Sequence, residues 1–361
     1  MPQDHDSYDV AVVGGGIVGL AVAWRAQTRG LSVLVLERGE FGAQTSHVAA
    51  GMLAPVAEAD AGERPLLALG LQSAQRWPAF AAQLSEVTGL DVDFRRCGTL
   101  MVARDRDEAE ALERERDLRE RMGLRVQRLL PSAARRLEPA LAPTLRGALD
   151  LPDDHVVDPR LVCAALVRAA ERAGAILRAG VEVDDLDALP AEQVVVAAGP
   201  WSAAFGDEAR VRPVKGQSLR LRDPGGAGLV ERVVRWDGGY LAPRGDGRYV
   251  LGATSEERGF DTATTAGAVH ELLRDASELV PGLLELEVEE VIAGLRPGTP
   301  DNAPILGRSQ VDPRVVWATG HYRNGVLLTP VTTDIVVAEL LGEPVEHAFG
   351  PGRFAREGAA A

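Results

Sequence analysis

Short apolar runs alternate with stretches of helical spacing from the start of the chain. The unbroken run Val10–Val13 enters a turn at Gly14, Gly16 and Gly19 and continues as a helix through Arg25. A second apolar strand, Ser32 to Leu36, ends on Glu37. Together these predict a strand–helix–strand unit. Leu66 to Leu84 carries apolar residues at helical spacing, with Pro78 expected to interrupt the helix. From Arg104 to Arg121 charges of alternating sign recur at helical spacing, which predicts a solvated helix face and not a binding patch. A further helix spans Pro159 to Gly174, ahead of the segment Ala175–Arg178 and the buried strand from Val194 to Gly199. The runs Arg212–Leu221, Val230–Trp236, Tyr240–Pro243 and Arg248–Ala253 alternate as an antiparallel sheet would, with one face toward solvent or a cavity. Thr265–Leu279 reads as a helix stopped by Pro281-Gly282, Val315–Gly320 as another buried strand, and Val326–Leu341 as the last helix. Residues 1–7 and 350–361 are polar or small and are expected to be disordered.

The parallel-type strands begin near residues 10, 32, 194 and 315 and are separated by long inserts. A nucleotide domain assembled from such pieces is discontinuous, and the antiparallel material between them forms a second domain. The expected fold is α/β. A discontinuous Rossmann-type domain covers residues 1–90, 150–210 and 295–361, and an α+β substrate domain with a mainly antiparallel sheet covers 91–149 and 211–294. Ligands bind at the carboxyl ends of parallel strands, so Gly14, Gly199 and Gly320 should converge on one crevice.

Composition narrows the classes. The chain has 361 residues, 46% hydrophobic and 25% charged, which suits a globular protein of two domains. Its net charge of −14 argues against nucleic acid as a partner. Lys215 is the sole lysine, and Cys97 and Cys163 match no metal or redox spacing and read as buried thiols. The first residues carry no basic leader and the first apolar strand is too short for a bilayer, so a cytoplasmic protein without membrane contact is expected.

The chemistry starts at the glycines. In GxGxxG, Gly14 allows the tight turn, Gly16 lets backbone approach a pyrophosphate and Gly19 packs helix against strand. Amides at the helix start then face phosphate oxygens, and Glu37 can take a ribose hydroxyl. This segment leaves FAD and NAD equally open. The small-residue stretch from Gly39 to Leu53 suits a close approach of backbone to ligand. Near the C-terminus, Arg296 lies between glycine and proline in what reads as a rigid turn, and Arg323 lies between a strand and a helix. A guanidinium in a constrained loop is suited to gripping a carboxylate through two oxygens.

Read together, these segments resemble the glycine oxidase branch of the D-amino acid oxidase family of flavoproteins. The matching stretches are VVGGGIVG with Glu37, TSHVAAGML, VVVAAGPWS, RPVKGQ, the YLAPR strand, GLRPGTPD and GHYRNGVLL, and they run from Val10 to Leu341. The resemblance implies an FAD-dependent enzyme in which Arg296 pairs with the substrate carboxylate and Arg323 and Tyr240 complete the substrate site. It places FAD contacts on Ile17, Val18, Glu37, Arg38, Thr45, Ser46, Ala50, Gly51 and Met52. Further contacts fall on His321, Tyr322, Arg323, Asn324, Gly325, Val326 and Leu327, beside the glycines at 14, 16, 19 and 199. It further implies oxidation of glycine, sarcosine or a small D-amino acid by hydride transfer to flavin N5. Oxygen is then reduced to hydrogen peroxide, and glyoxylate and ammonia are the products from glycine. A place in thiamine biosynthesis is part of the same implication, and homotetramers occur in the branch. No acid or histidine stands in the substrate-contacting motifs as a general base, and His321 reads as structural. Three departures matter. Gly238 stands where glycine oxidases can carry a histidine, which implies a roomier wall. Val250 stands where related sarcosine oxidases carry an oxygen-activating lysine. With no cysteine after Cys163 to attach flavin, the FAD is expected to be noncovalent.

Overall fold

The structure, a computed structural model, describes residues 7–226 and 228–354. The expected disorder at 1–6 and 355–361 lies outside the described residues. Within them the expectation for the C-terminal end is overturned: Pro351–Phe354 forms a 3-10 turn that buries Phe354 beside Trp317.

The predicted strand–helix–strand unit forms with Tyr8–Val13, Ile17–Thr28 and Val33–Glu37. It builds a six-stranded sheet in the order 305–308, 315–319, 191–196, 8–13, 33–37, 176–179. All neighbours are parallel except the edge pair Ile305–Arg308 with Val315–Thr319. Alternation divides its two faces. Val10, Val12, Val35, Val195 and Val316 join the helices Ile17–Thr28, Arg64–Thr88, Pro159–Ala173 and Gly325–Leu340 in one core. Val13, Val194, Val196 and Trp317 turn to the opposite face. Apolar area removed from water on both faces is the main stabilising term for such a sheet.

Helix Arg64–Thr88 runs unbroken through Pro78, against the expectation of an interruption. Phe80 packs edge-to-face on Trp24 of helix Ile17–Thr28 at 5.7 Å, and Trp77 Nε1 donates to Leu327 O at 2.9 Å. Tertiary packing here outweighs the lost backbone hydrogen bond of a proline.

The second sheet has eight strands in the order 287–298, 212–222, 248–252, 239–243, 233–236, 99–103, 147–151, 127–129. Its neighbours are antiparallel apart from Val233–Trp236 beside Thr99–Ala103. Four of these strands, at 99–103, 127–129, 147–151 and 287–298, go beyond those expected. One of them corrects the placement of Arg296. Glu287–Gly298 is a continuous edge strand, with Arg296 opposite Val214, and the glycines and proline around it do not make a turn. Proline is tolerated there because an edge strand need not donate on its outer side. The charged helix Arg106–Arg121 is also not wholly solvated, because Arg119 is buried within the protein. Cys163 is buried and Cys97 half-buried, both as free thiols. No helix among the described residues is long and apolar enough to cross a membrane.

Candidate active site

The carboxyl ends of the parallel strands open into a cavity of about 350 Å³ that extends to the second sheet. Gly14 and Gly199 line it. Gly320 does not, although its neighbours Thr319 and His321 do.

At one end the glycine turn forms a cradle. Gly14 adopts φ 110°, and a Cβ there would lie 2.5 Å from Ala197 O. A Cβ on Gly19 would collide with Gly14 O, so Gly19 serves the packing of helix on turn and is not at the cavity wall. Gly16 differs: the nearest protein atom to its Cβ position is Ser46 Oγ at 3.3 Å, and the residue lines the cavity. Ser46 Oγ accepts from Ile17 N at 3.0 Å, and Glu37 Oε2 accepts from Gly15 N at 2.7 Å while its Oε1 takes Gly39 N at 2.9 Å. Glu37 is thus fixed at the strand end with lone pairs to spare on both oxygens. Beside it, the Arg38 guanidinium lies 3.7 Å from the Trp201 ring, and Val181 and Val183 complete this wall. Sequence reasoning missed those three. The pairing of Val181 N with Glu37 O at 2.9 Å, which brings in the two valines, joins residues far apart in the chain, and Trp201 arrives on the 3-10 turn Gly199–Phe205.

The middle of the cavity is lined by Thr45, Ser46, Ala50, Gly51 and Met52 from one side and by His321 to Val326 from the other. The amides of Ala50 and Gly51 have no acceptor among the described residues. Buried amides are rarely left this way, so donors are available where a cofactor would lie. Tyr322 sits at φ 48°, an uncommon conformation for a bulky residue and one found at ligand sites. His321 is buried with Nε2 2.9 Å from Thr332 Oγ1, and burial pulls its pKa down to about 3. It is a neutral structural residue. Leu327 points away from the cavity: its carbonyl accepts from Ser73 Oγ and Trp77 Nε1, and it is absent from the wall.

The far end is built on the second sheet. Arg296 Nη1 donates to Thr254 O at 3.0 Å and lies over Gly216, where a Cβ would collide with the guanidinium. No carboxylate pairs with Arg296 among the described residues. Tyr240, from the strand Gly239–Pro243, shares this wall. Burial pushes its hydroxyl up against the pull of Arg296 and Arg220, so it stays protonated at neutral pH. Gly238 lies outside the cavity lining, at φ 91° in the turn between two strands, and no protein atom falls within 4 Å of its Cβ position.

One acid at the site was not foreseen. Glu58 lines the same cavity, ion-paired with Arg235 and with Arg323 Nε at 3.5 Å. Burial pushes its carboxyl up, but Arg235 and Arg323 outweigh that and hold it below its ordinary value. Its Oε2 has no hydrogen-bond partner. The preceding turn is clamped from both sides. Asp154 accepts Val56 N and Ala57 N, each at 3.0 Å, and Arg119 donates to Val56 O at 2.9 Å and Ala57 O at 2.8 Å. The available sequence signal was that Glu58 is the first charged carboxyl after Glu40 in a run of small residues.

The glycine cradle, the fixed Glu37 and the unmatched amides fit an extended dinucleotide whose ring system would end beside Arg296 and Tyr240. Comparison with known proteins agrees. The family model described as FAD dependent oxidoreductase matches residues 9–339. Glycine oxidase of Geobacillus kaustophilus is 37% identical, over 96% of this chain and 96% of that protein. The bifunctional protein ThiO/ThiG of Synechocystis is 34% identical over 96% of this chain and 54% of its own length. The crystal structure of the Geobacillus kaustophilus glycine oxidase superposes with a TM-score of 0.90 at 35% identity, covering 96% and 98% of the two chains. The cavity's two ends are accounted for together by one conclusion: the chain belongs to the FAD-dependent oxidoreductases of the D-amino acid oxidase family.

Proposed function

We propose that the protein oxidises the amino group of glycine, or of a comparably small amino acid, with oxygen as the final electron acceptor. The observation that carries this reading is Arg296, a guanidinium without a carboxylate partner among the described residues, at the opposite end of one cavity from the glycine cradle. An amino acid supplies the missing carboxylate, and the planar fork fixes its orientation. The protonated Tyr240 hydroxyl on the same wall can donate to that carboxylate. Glu58, held ionised, can accept an N–H of the amine through Oε2, which faces Arg323 at 3.5 Å without taking a hydrogen bond.

When bound, FAD supplies the acceptor for the two electrons that leave Cα as hydride. The chain itself orients Cα and needs no base at carbon, consistent with a neutral His321 tied to Thr332. Amides at the start of helix Gly325–Leu340, whose Asn324, Gly325 and Val326 line the cavity, favour negative charge at that wall. The imine is released and hydrolysed by water, giving glyoxylate and ammonia from glycine, while oxygen becomes hydrogen peroxide. The FAD contacts are proposed on the lining residues expected from sequence, with Gly19 and Leu327 as supports behind them. The FAD is proposed to be noncovalent. The likeness to ThiO/ThiG across nearly the whole chain supports a role in which the imine feeds thiazole formation in thiamine biosynthesis.

The test is anaerobic addition of glycine, sarcosine and D-alanine to the purified yellow protein. Bleaching of the flavin band, followed by peroxide on admitting air, is expected with at least one, and comparison of the three rates ranks the substrates. An unchanged spectrum with all three would leave a flavin-binding protein without this activity.

A further inference from the structure

Four consecutive carbonyls, from His47 to Ala50, end on buried arginines. Arg220 Nη2 lies 3.1 Å from His47 O, Val48 O and Ala49 O. Arg160 Nε donates to His47 O at 3.0 Å, and Arg244 Nη2 to Ala50 O at 2.5 Å. Arg160 and Arg244 also face acids, Glu290 at 2.6 Å and Asp158 at 3.5 Å. Arg220 has no carboxylate partner among the described residues, although it is only 8% exposed. Its hydrogen bonds all go to peptide carbonyls, and Asp158 is the nearby acid that favours its charge. Burial and the neighbouring Arg244 and Arg160 pull its pKa down to about 10, which leaves it charged at neutral pH.

The other side of this segment lines the cavity, where the Ala50 and Gly51 amides lack acceptors. Arg220 itself does not line it. We propose that Arg220, backed by Arg160 and Arg244, is a positioning group for FAD: it holds the carbonyl ends of residues 47–50 away from the cavity and directs amide donors and a buried positive charge toward the cofactor. A guanidinium on the carbonyl side polarises each peptide and strengthens the donors opposite. Negative charge on the reduced cofactor gains more from such a field than the neutral oxidised form does. Arg220 is therefore predicted to raise the flavin's reduction potential as well as its retention. The inference rests on the family's FAD and is independent of which amino acid is oxidised.

The experiment uses the holoprotein without substrate. FAD affinity is measured by fluorescence on reconstitution, and the midpoint potential by dye equilibration during stepwise reduction. In Arg220→Met, FAD should dissociate about tenfold more readily. Its preference for the reduced form should fall about tenfold, which is about 30 mV for a two-electron couple. Arg220→Lys keeps the charge and should recover part of the potential shift. If Arg220→Met does not fold, Arg160→Met, at the half-buried rim of the cluster, should give a smaller shift of the same sign. A folded variant that loses thermal stability but keeps the wild-type potential would overturn the proposal, as would unchanged affinity and potential in either methionine variant.

Discussion

Arg296 lies so close over Gly216 that any side chain at 216 occupies the guanidinium's place. Because the guanidinium is the far end of a flexible chain, Gly216→Ala should displace it without unfolding the strand. The expected outcome is a rise in the KM for glycine of about 10- to 100-fold, roughly 1.4 to 2.8 kcal/mol, with FAD content unchanged. Arg296→Ala removes the anchor outright and should cost roughly 3 to 5 kcal/mol in substrate binding, read from kcat/KM and from anaerobic titration. A KM indifferent to both changes would put the carboxylate elsewhere. Residue chemistry of this kind was legible in the sequence where the residue acts alone: Gly14, Gly16, Glu37, Arg296 and Tyr240 all reach the cavity. Glu58 was not legible, because its meaning comes from Arg235 and Arg323, which folding brings to it from distant segments.

Elements show the same division. The strand–helix–strand unit was readable because two short apolar runs bracket the turn of Gly14, Gly16 and Gly19 and the second of them ends on Glu37. Strand Glu287–Gly298 was misread because Gly294, Pro297 and Gly298 carry turn chemistry, and only the partner strand Arg212–Arg222 holds them extended. The turn that presents Glu58 is a second case, since its amides depend on Asp154, nearly a hundred residues away. Burial raises the Asp154 carboxyl to about 7, even though the two amide bonds and Arg235 pull it down. A folded-state pKa above the unfolded one means that the folded form binds the extra proton. Its contribution to stability is complete below about pH 4 and is lost as pH rises through about 7. Thermal melts across pH 4 to 8.5 should therefore show stability falling between about pH 4 and 7 and levelling off above about 7, by roughly 1 to 4 kcal/mol in all, a fall that is absent from Asp154→Asn. A wild-type protein and variant with parallel pH profiles would show that Asp154 does not titrate there.

At the scale of the whole molecule, the nucleotide cradle and the second sheet are joined by the segment that follows strand Arg248–Gly252. Thr254 receives Arg296, Glu256 pairs with Lys215 through backbone bonds of 2.9 Å in both directions, and Phe260 stacks on Trp201 at 5.7 Å. Trp201 in turn carries Arg38. This strap reaches from the carboxylate anchor to the cradle, and its fastening is the chain's sole lysine. Lys215 is 1% exposed, with Nζ 2.6 Å from Asp261 Oδ2 on the strap. A single buried lysine makes the strap's opening measurable, because an amine-reactive reagent can modify it only when the strap lifts and the ion pair breaks. Peptide mapping by mass spectrometry should show Lys215 labelled at least about 100-fold more slowly in the native protein than in denaturant, an opening cost near 2.8 kcal/mol or above. Asp261→Asn, which leaves the lysine buried but unpaired, should speed labelling about tenfold, while adding FAD and a carboxylate ligand of Arg296 should slow it. Labelling of the native protein at the denatured rate would mean that the strap does not close the molecule, and that the cradle and the anchor are held together by the sheets alone.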